Sequence, residues 1–372
     1  MIISKGNYNK LLLTNETQTL LLTFSRSVEL EAVILAAGKG ERMGAISRFV
    51  PKPLIPIANR SIIEHLLLAY KKAGVSDFII VTGHLGNQIR KHLGDGTEQG
   101  ISIRYTHSRN YELGPIHSLL AAETEISSNY FFVSPADFII DPLAIRTVKK
   151  KHSKKGITIA VDTSSHSRSG TTVYTCPTSI KYGRVSGFCE PILKGGEPHL
   201  CVSLLLCNTT IFKYIYKTLE NGSNVLLDAL NLFIRCGHLV CFVDVSENFW
   251  FDVDTLSDVL HANAFALRSG LVPQNNFYIK HPNQLMGLLK SKLNVTLDRT
   301  STIRGPTVIG PNCQIGPKSR VGPFVSITGD CEIPSGTTIQ NSLVFGEAVI
   351  EENNHISNAV LYNNLMLQSV KV

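Results

Sequence analysis

The chain has 372 residues, 43% of them hydrophobic and 17% charged, with a formal net charge of +7. Domains commonly hold ~100–200 residues, so two or three units are expected, and the balance is that of a globular protein rather than a disordered or fibrous one. No stretch approaches the ~20 apolar residues of a membrane helix, so no membrane partner is expected, and the charge is too diffuse to argue for a nucleic-acid one.

Residues 1–28 show no clear periodicity. The Leu11–Leu13 and Leu20–Leu22 runs are split by the polar Thr14–Thr19 stretch, so no signal peptide is read there. The segment is taken as an N-terminal extension of unassigned role on a cytoplasmic protein. The eight cysteines form no C-x-x-C pair, and several sit within apolar runs. Free thiols in a reducing compartment are expected, not a zinc site or a disulfide framework.

From Leu30 the pattern becomes regular. Ala32-Val33-Ile34-Leu35 is a short apolar run leading to glycine, the mark of a buried parallel strand. Apolar residues at helical spacing follow from Ser61 to Ala73, with Gly74 as a stop. Phe78–Val81, Ile101–Tyr105 and Tyr130–Val133 read as strands and Ile116–Thr124 as a helix. Alternating strands and helices predict an α/β domain over 29–267 with a Rossmann-like, mixed, mostly parallel sheet. The basic run Lys149–Lys155 lacks interleaved aromatics and reads as a solvated helix end.

A composition break at 268–300, with Pro273-Gln274-Asn275-Asn276 inside it, reads as a linker, and His281–Leu293 has room for one short helix. Beyond it an aliphatic residue recurs every six positions, at Ile303, Ile309, Ile315, Val321, Ile327, Ile333 and Ile339, with Gly310, Gly316 and Gly322 following three of them. That period predicts a parallel β-helix over 301–366.

The chemistry concentrates after the first strand. Leu35-Ala36-Ala37-Gly38-Lys39-Gly40-Glu41-Arg42-Met43 runs a strand straight into a glycine turn. Such a turn lets the backbone approach a phosphate, with N–H groups aimed at its oxygens. A Gly-x-Gly turn also opens dinucleotide-binding domains, but no Gly-Lys-Ser/Thr ends this one, so it is not a Walker A loop. Ten positions beyond Arg42 stands Lys52, within Pro51-Lys52-Pro53-Leu54-Ile55-Pro56. Two cations flanking a glycine loop can hold a triphosphate from both sides and stabilise charge as the α-phosphate is attacked.

This string resembles the signature of the sugar-1-phosphate nucleotidyltransferases, and its Arg-to-Lys spacing resembles the glucose-1-phosphate thymidylyltransferase and mannose-1-phosphate guanylyltransferase branch. The resemblance covers roughly Leu30 to Leu267, and a left-handed β-helix of hexapeptide repeats is common in the superfamily. It implies transfer of a nucleotide, dTTP or UTP favoured, to a sugar-1-phosphate, glucose-1-phosphate favoured, with release of pyrophosphate. Arg42 and Lys52 would be catalytic. Leu35, Ala37, Gly38, Gly40, Arg109 and Gly114 would bind the nucleotide, Gly114 lying against the base in Leu113-Gly114-Pro115. Asp137, after the Phe131–Val133 run, and Asp252, in Trp250-Phe251-Asp252-Val253-Asp254-Thr255, would hold Mg²⁺, with Asp254 a nearby competitor. Gly183, Glu190 and Lys194 would meet the sugar phosphate, and the β-helix would join copies into a homo-oligomer.

The sequence departs from the family pattern in places. Arg109 stands where a base-reading Gln is usual, and an arginine only donates. Glu190-Pro191 lacks the intervening Lys, with Lys194 as a substitute, and Ser203-Leu204-Leu205 replaces Gly-x-Tyr. Three other readings follow: mannose-1-phosphate guanylyl transfer, a catalytically impaired regulatory paralogue, and acetyl transfer through His355 in the coils.

Overall fold

The computed structural model describes residues 30–153, 156–164, 170–179, 182–280, 284–286, 289–290 and 293–369. The N-terminal extension lies outside them. The strands of the first unit are β1 (Glu31–Ala36), β2 (Asp77–Thr82), β3 (Ser102–His107), β4 (Tyr130–Pro135), β5 (Phe138–Ile140), β6 (Gly156–Asp162), β7 (Thr172–Ser179), β8 (Tyr182–Phe188), β9 (Glu197–Asn208), β10 (Leu239–Asp244) and β11 (Trp250–Asp252). Its helices are α1 (Ile62–Lys72), α2 (Gly86–Leu93), α3 (Pro115–Ala121), α4 (Pro142–Lys151), α5 (Ile211–Glu220), α6 (Leu226–Arg235) and α7 (Leu256–Ser269).

Nine strands form one sheet in the order β3-β2-β1-β4-β9-β6-β10-β8-β7. The first four are parallel, and β9 runs antiparallel to both β4 and β6. The sheet is mixed as expected but not mostly parallel, since four of its eight neighbouring pairs are antiparallel; its strands are apolar on both faces because both are covered. On one face α1 and α4 bury Ile63, Leu66, Tyr70, Ile145 and Val148 against it. On the other, α3, α5 and α6 bury Ile116, Leu119, Ile215 and Phe233. Helix α1 starts where the sequence places it: Ser61 and Glu64 close a capping box, each satisfying an amide of the other. The basic run ends α4, with Lys149–Lys151 in its last turn. No helix among the described residues is long and apolar enough to cross a membrane, and all eight cysteines are free.

In the C-terminal region short strands stack in three parallel sheets. Thr296 pairs with Gln314 and Gln314 with Glu332; Thr302 pairs with Arg320 and Arg320 with Thr338. Three six-residue steps therefore make one circuit, and all seven periodic aliphatics are buried inside it. At one corner Asn294, Asn312 and Asp330 form a side-chain ladder. The register shortens by one residue where the sequence pattern loosens, as Leu343 pairs with Val360.

The stretch read as a linker behaves differently from that expectation. Phe277–Ile279 pairs antiparallel with Thr307–Ile309. No helix appears in the described parts of 281–293; Gln284–Met286 pairs with Thr302–Arg304 and Leu289–Lys290 with Thr296–Leu297. The open edge of the first circuit offers unpaired amides and carbonyls, and extended chain satisfies them where a helix would not. At the far end Leu365–Gln368 folds back antiparallel on Ala359–Tyr362 in the same way.

The coils pack directly against α7. Val259, Ala266 and Leu267 share a buried cluster with Val308, Leu343 and Phe345. At its centre the buried Asn263 Oδ1 accepts from the Ala58 amide at 2.9 Å and from the Ser326 hydroxyl at 2.7 Å. Removing that acceptor leaves a buried amide unsatisfied, a loss of about 1–3 kcal/mol. Asn263→Ala is expected to lower unfolding stability by about 2 kcal/mol in denaturant titration, and an unchanged midpoint would contradict this tie between the two units.

Candidate active site

Strand β1 delivers the glycine loop to the carboxyl end of the sheet, the edge at which open α/β sheets meet ligands. Gly40 takes φ +65, and a Cβ there would stand 3.0 Å from the Lys52 Cβ. The missing side chain therefore lets the Lys52 stem lie against the loop. Lys52 itself opens a short 3-10 turn after Pro51, whose fixed φ limits its movement, and is only 7% exposed.

A pair of short strands brings the acids together. β5 and β11 run antiparallel, with Phe138 opposite Asp252, and the Val253 amide donates to the Asp137 carbonyl at 3.0 Å. Asp137 and the Asp252-Val253-Asp254 strand end are thereby fixed side by side. Neither acid is used as a helix cap. Asp141 caps α4, while Thr255 and Asp258 form the capping box of α7. Carboxylate oxygens of Asp137, Asp252 and Asp254 lie within 4.8 Å of one another.

The cations sit among these acids. Lys52 Nζ reaches Asp137 Oδ2 at 2.5 Å and Asp254 Oδ1 at 2.6 Å, and Arg42 Nη1 reaches Asp254 Oδ2 at 2.7 Å. Burial alone would lower the Lys52 ammonium, but the charges and hydrogen bonds of Asp137 and Asp254 overcome it and hold it above the ordinary lysine value. Asp252 stands at the open rim. Loss of solvent on its packed side, then the charges of Asp137 and Asp254, push its carboxyl up to about 7. A second ion pair, Lys39 to Glu112 at 2.8 Å, joins the glycine loop to the segment before α3.

All of these groups except Asp252 border a cleft of about 600 Å³, lined by Leu35, Gly38, Gly40, Arg42, Lys52, Asp137 and Asp254 among others. A second cavity of about 490 Å³ adjoins it, and Leu35 and Pro115 line both. Gly114 lies in the wall of the second, with φ +120 and the Asn224 carbonyl 3.1 Å from where a Cβ would stand.

The other residues singled out in the sequence fall elsewhere. Ala37 is buried behind the loop, where its carbonyl accepts from the His84 amide. Arg109 is exposed and lines neither cavity. Gly183 is buried within β8, paired with Phe242 of β10. Glu190 is exposed and pairs with Arg235 at 3.4 Å, and Lys194 is exposed; none of the three lines either cavity. Past the end of β8 the chain is held to Ser186 by the amides of Ile192 and Leu193, which leaves Lys194 at the surface. His355 is exposed on the coils. Sequence reasoning undervalued Asp254, the one acid that meets both cations. Its signal was present in the Asp-x-Asp spacing of the Trp250–Thr255 segment.

The residues fit a hard divalent cation. Asp137 Oδ1 is buried with no hydrogen-bond partner among the described residues, and three carboxylates converge with one of them reluctant to ionise. Asp137, Asp252 and Asp254 are the residues that would hold it.

Comparison with known proteins identifies the family and the fold. A sequence model of the family described as Nucleotidyl transferase matches residues 31–269, and one described as GMPPB C-terminal domain matches 303–370. The chain is 24% identical over 343 residues to a glucose-1-phosphate thymidylyltransferase of Streptomyces griseus, covering 91% of this chain and 94% of the relative. It is 26% identical over 293 residues to a mannose-1-phosphate guanyltransferase beta-B of Xenopus laevis, covering 76% and 74%. In fold it is similar to a UDP-glucose pyrophosphorylase of Acinetobacter baumannii, with a TM-score of 0.53 at 18% identity over 65% of this chain and 94% of that one.

The raised Asp252 carboxyl sets a pH dependence. An unfolded aspartate titrates near ~4, so between about pH 4 and 7 the folded protein keeps a proton that the unfolded chain has released. Stability without metal therefore falls as pH rises through that window. Thermal denaturation in chelator is expected to show this decline in the wild type and a flatter profile in Asp252→Asn. Identical profiles would contradict the crowding of the three acids.

Proposed function

The chain belongs to the nucleotidyl transferase family, and from that premise we propose that it joins a nucleoside triphosphate to a sugar-1-phosphate and releases pyrophosphate. The observation that carries this reading is the convergence of two cations and three carboxylates on a glycine loop at the carboxyl end of the sheet. A sugar-phosphate oxygen attacks the α-phosphorus, a new P–O bond forms, and the bond to the β-phosphate oxygen breaks. No general base is required, because the attacking phosphate is already ionised near neutral pH. Positioning and charge neutralisation carry the rate.

In this reading the glycine-loop amides cradle the phosphates. Arg42, on the exposed side of the cleft, neutralises the departing pyrophosphate. Lys52, held in place by its buried stem, lies between the α-phosphate and the acceptor phosphate. A divalent cation on Asp137, Asp252 and Asp254 supplies Lewis-acid neutralisation of phosphate charge when bound, and Mg²⁺ is the ion we expect. A pyrimidine triphosphate, dTTP or UTP, is the favoured donor. The coils are read as a left-handed β-helix of hexapeptide repeats through which copies of the chain associate.

One observation favours a second donor. The GMPPB C-terminal domain match over 303–370 makes guanylyl transfer to mannose-1-phosphate the competing reading. Pyrophosphate release with Mg²⁺ across dTTP, UTP, CTP, GTP and ATP distinguishes the two. One pyrimidine triphosphate is expected to exceed GTP, and the reverse order selects the competing reading. Lys52→Ala is expected to lower kcat/KM by roughly 10²–10³, whereas near-normal turnover from a folded variant would remove Lys52 from the chemistry.

A further inference from the structure

The positive charge of the chain is concentrated where its two units meet. From Val259 to Gly329 the sequence has eight lysines and arginines and a single acid, Asp298, so this stretch alone carries a formal +7 and the rest of the chain balances. Asp298 is already engaged, its Oδ1 accepting from the Thr300 amide at 2.8 Å and the Thr300 hydroxyl at 2.6 Å.

Three of the eight cations line one hollow of about 430 Å³. Arg268 comes from the last turn of α7, Lys280 follows the Phe277–Ile279 strand, and Arg304 ends the Thr302–Arg304 strand of the first coil. Gly305, Pro306, Pro323 and Phe324 complete the lining, so no acid lines it among the described residues. None of the three cations forms an ion pair among the described residues. The carbonyls of Arg304, Pro306, Pro323 and Phe324 are each met by a donor, from Thr307, Phe324, Asn341 and Ser342 in turn. What this wall offers a ligand is therefore chiefly cationic.

Phe324 breaks a local rule. Its corner recurs in the next two coils as Asn341 and Asn358, both at positive φ and joined by a side-chain hydrogen bond of 2.6 Å. Asparagine tolerates that left-handed backbone, whereas a bulky aromatic is strained in it. Phe324 nevertheless adopts φ 61, and the Arg268 guanidinium lies over its ring, 4.4 Å from the centroid. The contact holds one cation of the cluster in place. Strain retained at a corner where the fold accepts asparagine points to a use for the ring.

Three like charges in one hollow repel one another, and an anion relieves them. Two of them are planar guanidiniums, whose forks match phosphate oxygens. A single phosphate monoester brings only about two negative charges. We propose that this hollow binds a diphosphate-bearing small molecule, with Arg268, Lys280 and Arg304 on its phosphate oxygens. The site shares no lining residue with the reaction cleft.

The test is calorimetric titration of the intact protein in chelator, with inorganic pyrophosphate in one arm and UDP in the other. Binding in at least one arm is expected, weakened at least about tenfold by Arg304→Ala. Dependence on Arg304 with pyrophosphate identifies the bare anion as sufficient, and dependence with UDP alone identifies a nucleotide-borne diphosphate. Phe324→Asn, which installs the residue of the next two corners, is expected to weaken binding while leaving the thermal midpoint unchanged or raised. Arg320→Ala removes an equal charge from the neighbouring coil outside the hollow, and is expected to change affinity by no more than about threefold. Equal weakening by Arg304→Ala and Arg320→Ala reduces binding to diffuse charge and overturns the site. So does undiminished binding in Arg304→Ala or Phe324→Asn, or no binding of either anion. Arg304→Ala decides the matter even if Phe324→Asn does not fold, and no outcome touches the transferase reading.

Discussion

A buried lysine gripped by two carboxylates organises this protein's site. Taking the Lys52 ammonium out of water is costly, and the ion pairs to Asp137 and Asp254 offset that cost. Those acids in turn crowd Asp252, and Arg42 neutralises the outer oxygen of Asp254. The set is mutually dependent: its cations and carboxylates satisfy one another. In the proposed transferase reading, entry of a metal-bound triphosphate would amount to an exchange of partners, with acids turning to the metal and cations to the phosphates.

The rest of the fold serves to bring these groups together from distant parts of the sequence. The glycine loop follows the central β1, Lys52 rides on a proline-braced turn against Gly40, and the β5–β11 ribbon joins aspartates more than a hundred residues apart. Helix α7, starting right after Asp254, is pinned to the coils through Asn263 and a shared apolar cluster. The C-terminal unit is thus packed behind the catalytic half, and the start of α7 ties its position to that of Asp254.

Much of this was legible from sequence because the signals are local. Strand and helix periodicity located β1, β2, β4 and α1, and the six-residue repeat predicted which aliphatics are buried in the coils. The string from Leu35 to Lys52 named both cations. Where reading failed, the determinant was long-range. The 268–300 stretch looks like a linker until the unpaired edge of the first coil is known to need strands. The roles expected of Glu190 and Lys194 are a separate matter: the fold around Ser186 places both at the surface, outside both cavities. The second cavity is assembled from strands and helices spread across the chain, so no single segment announces it.

The exchange of partners is tested most directly by the structure of the protein with Mg²⁺ and a triphosphate whose α,β-bridge cannot be cleaved. The account predicts Arg42 and Lys52 on phosphate oxygens, their ion pairs to Asp254 broken, and the metal on the aspartates. Finding the triphosphate bound with those ion pairs intact and the acids without metal would contradict it.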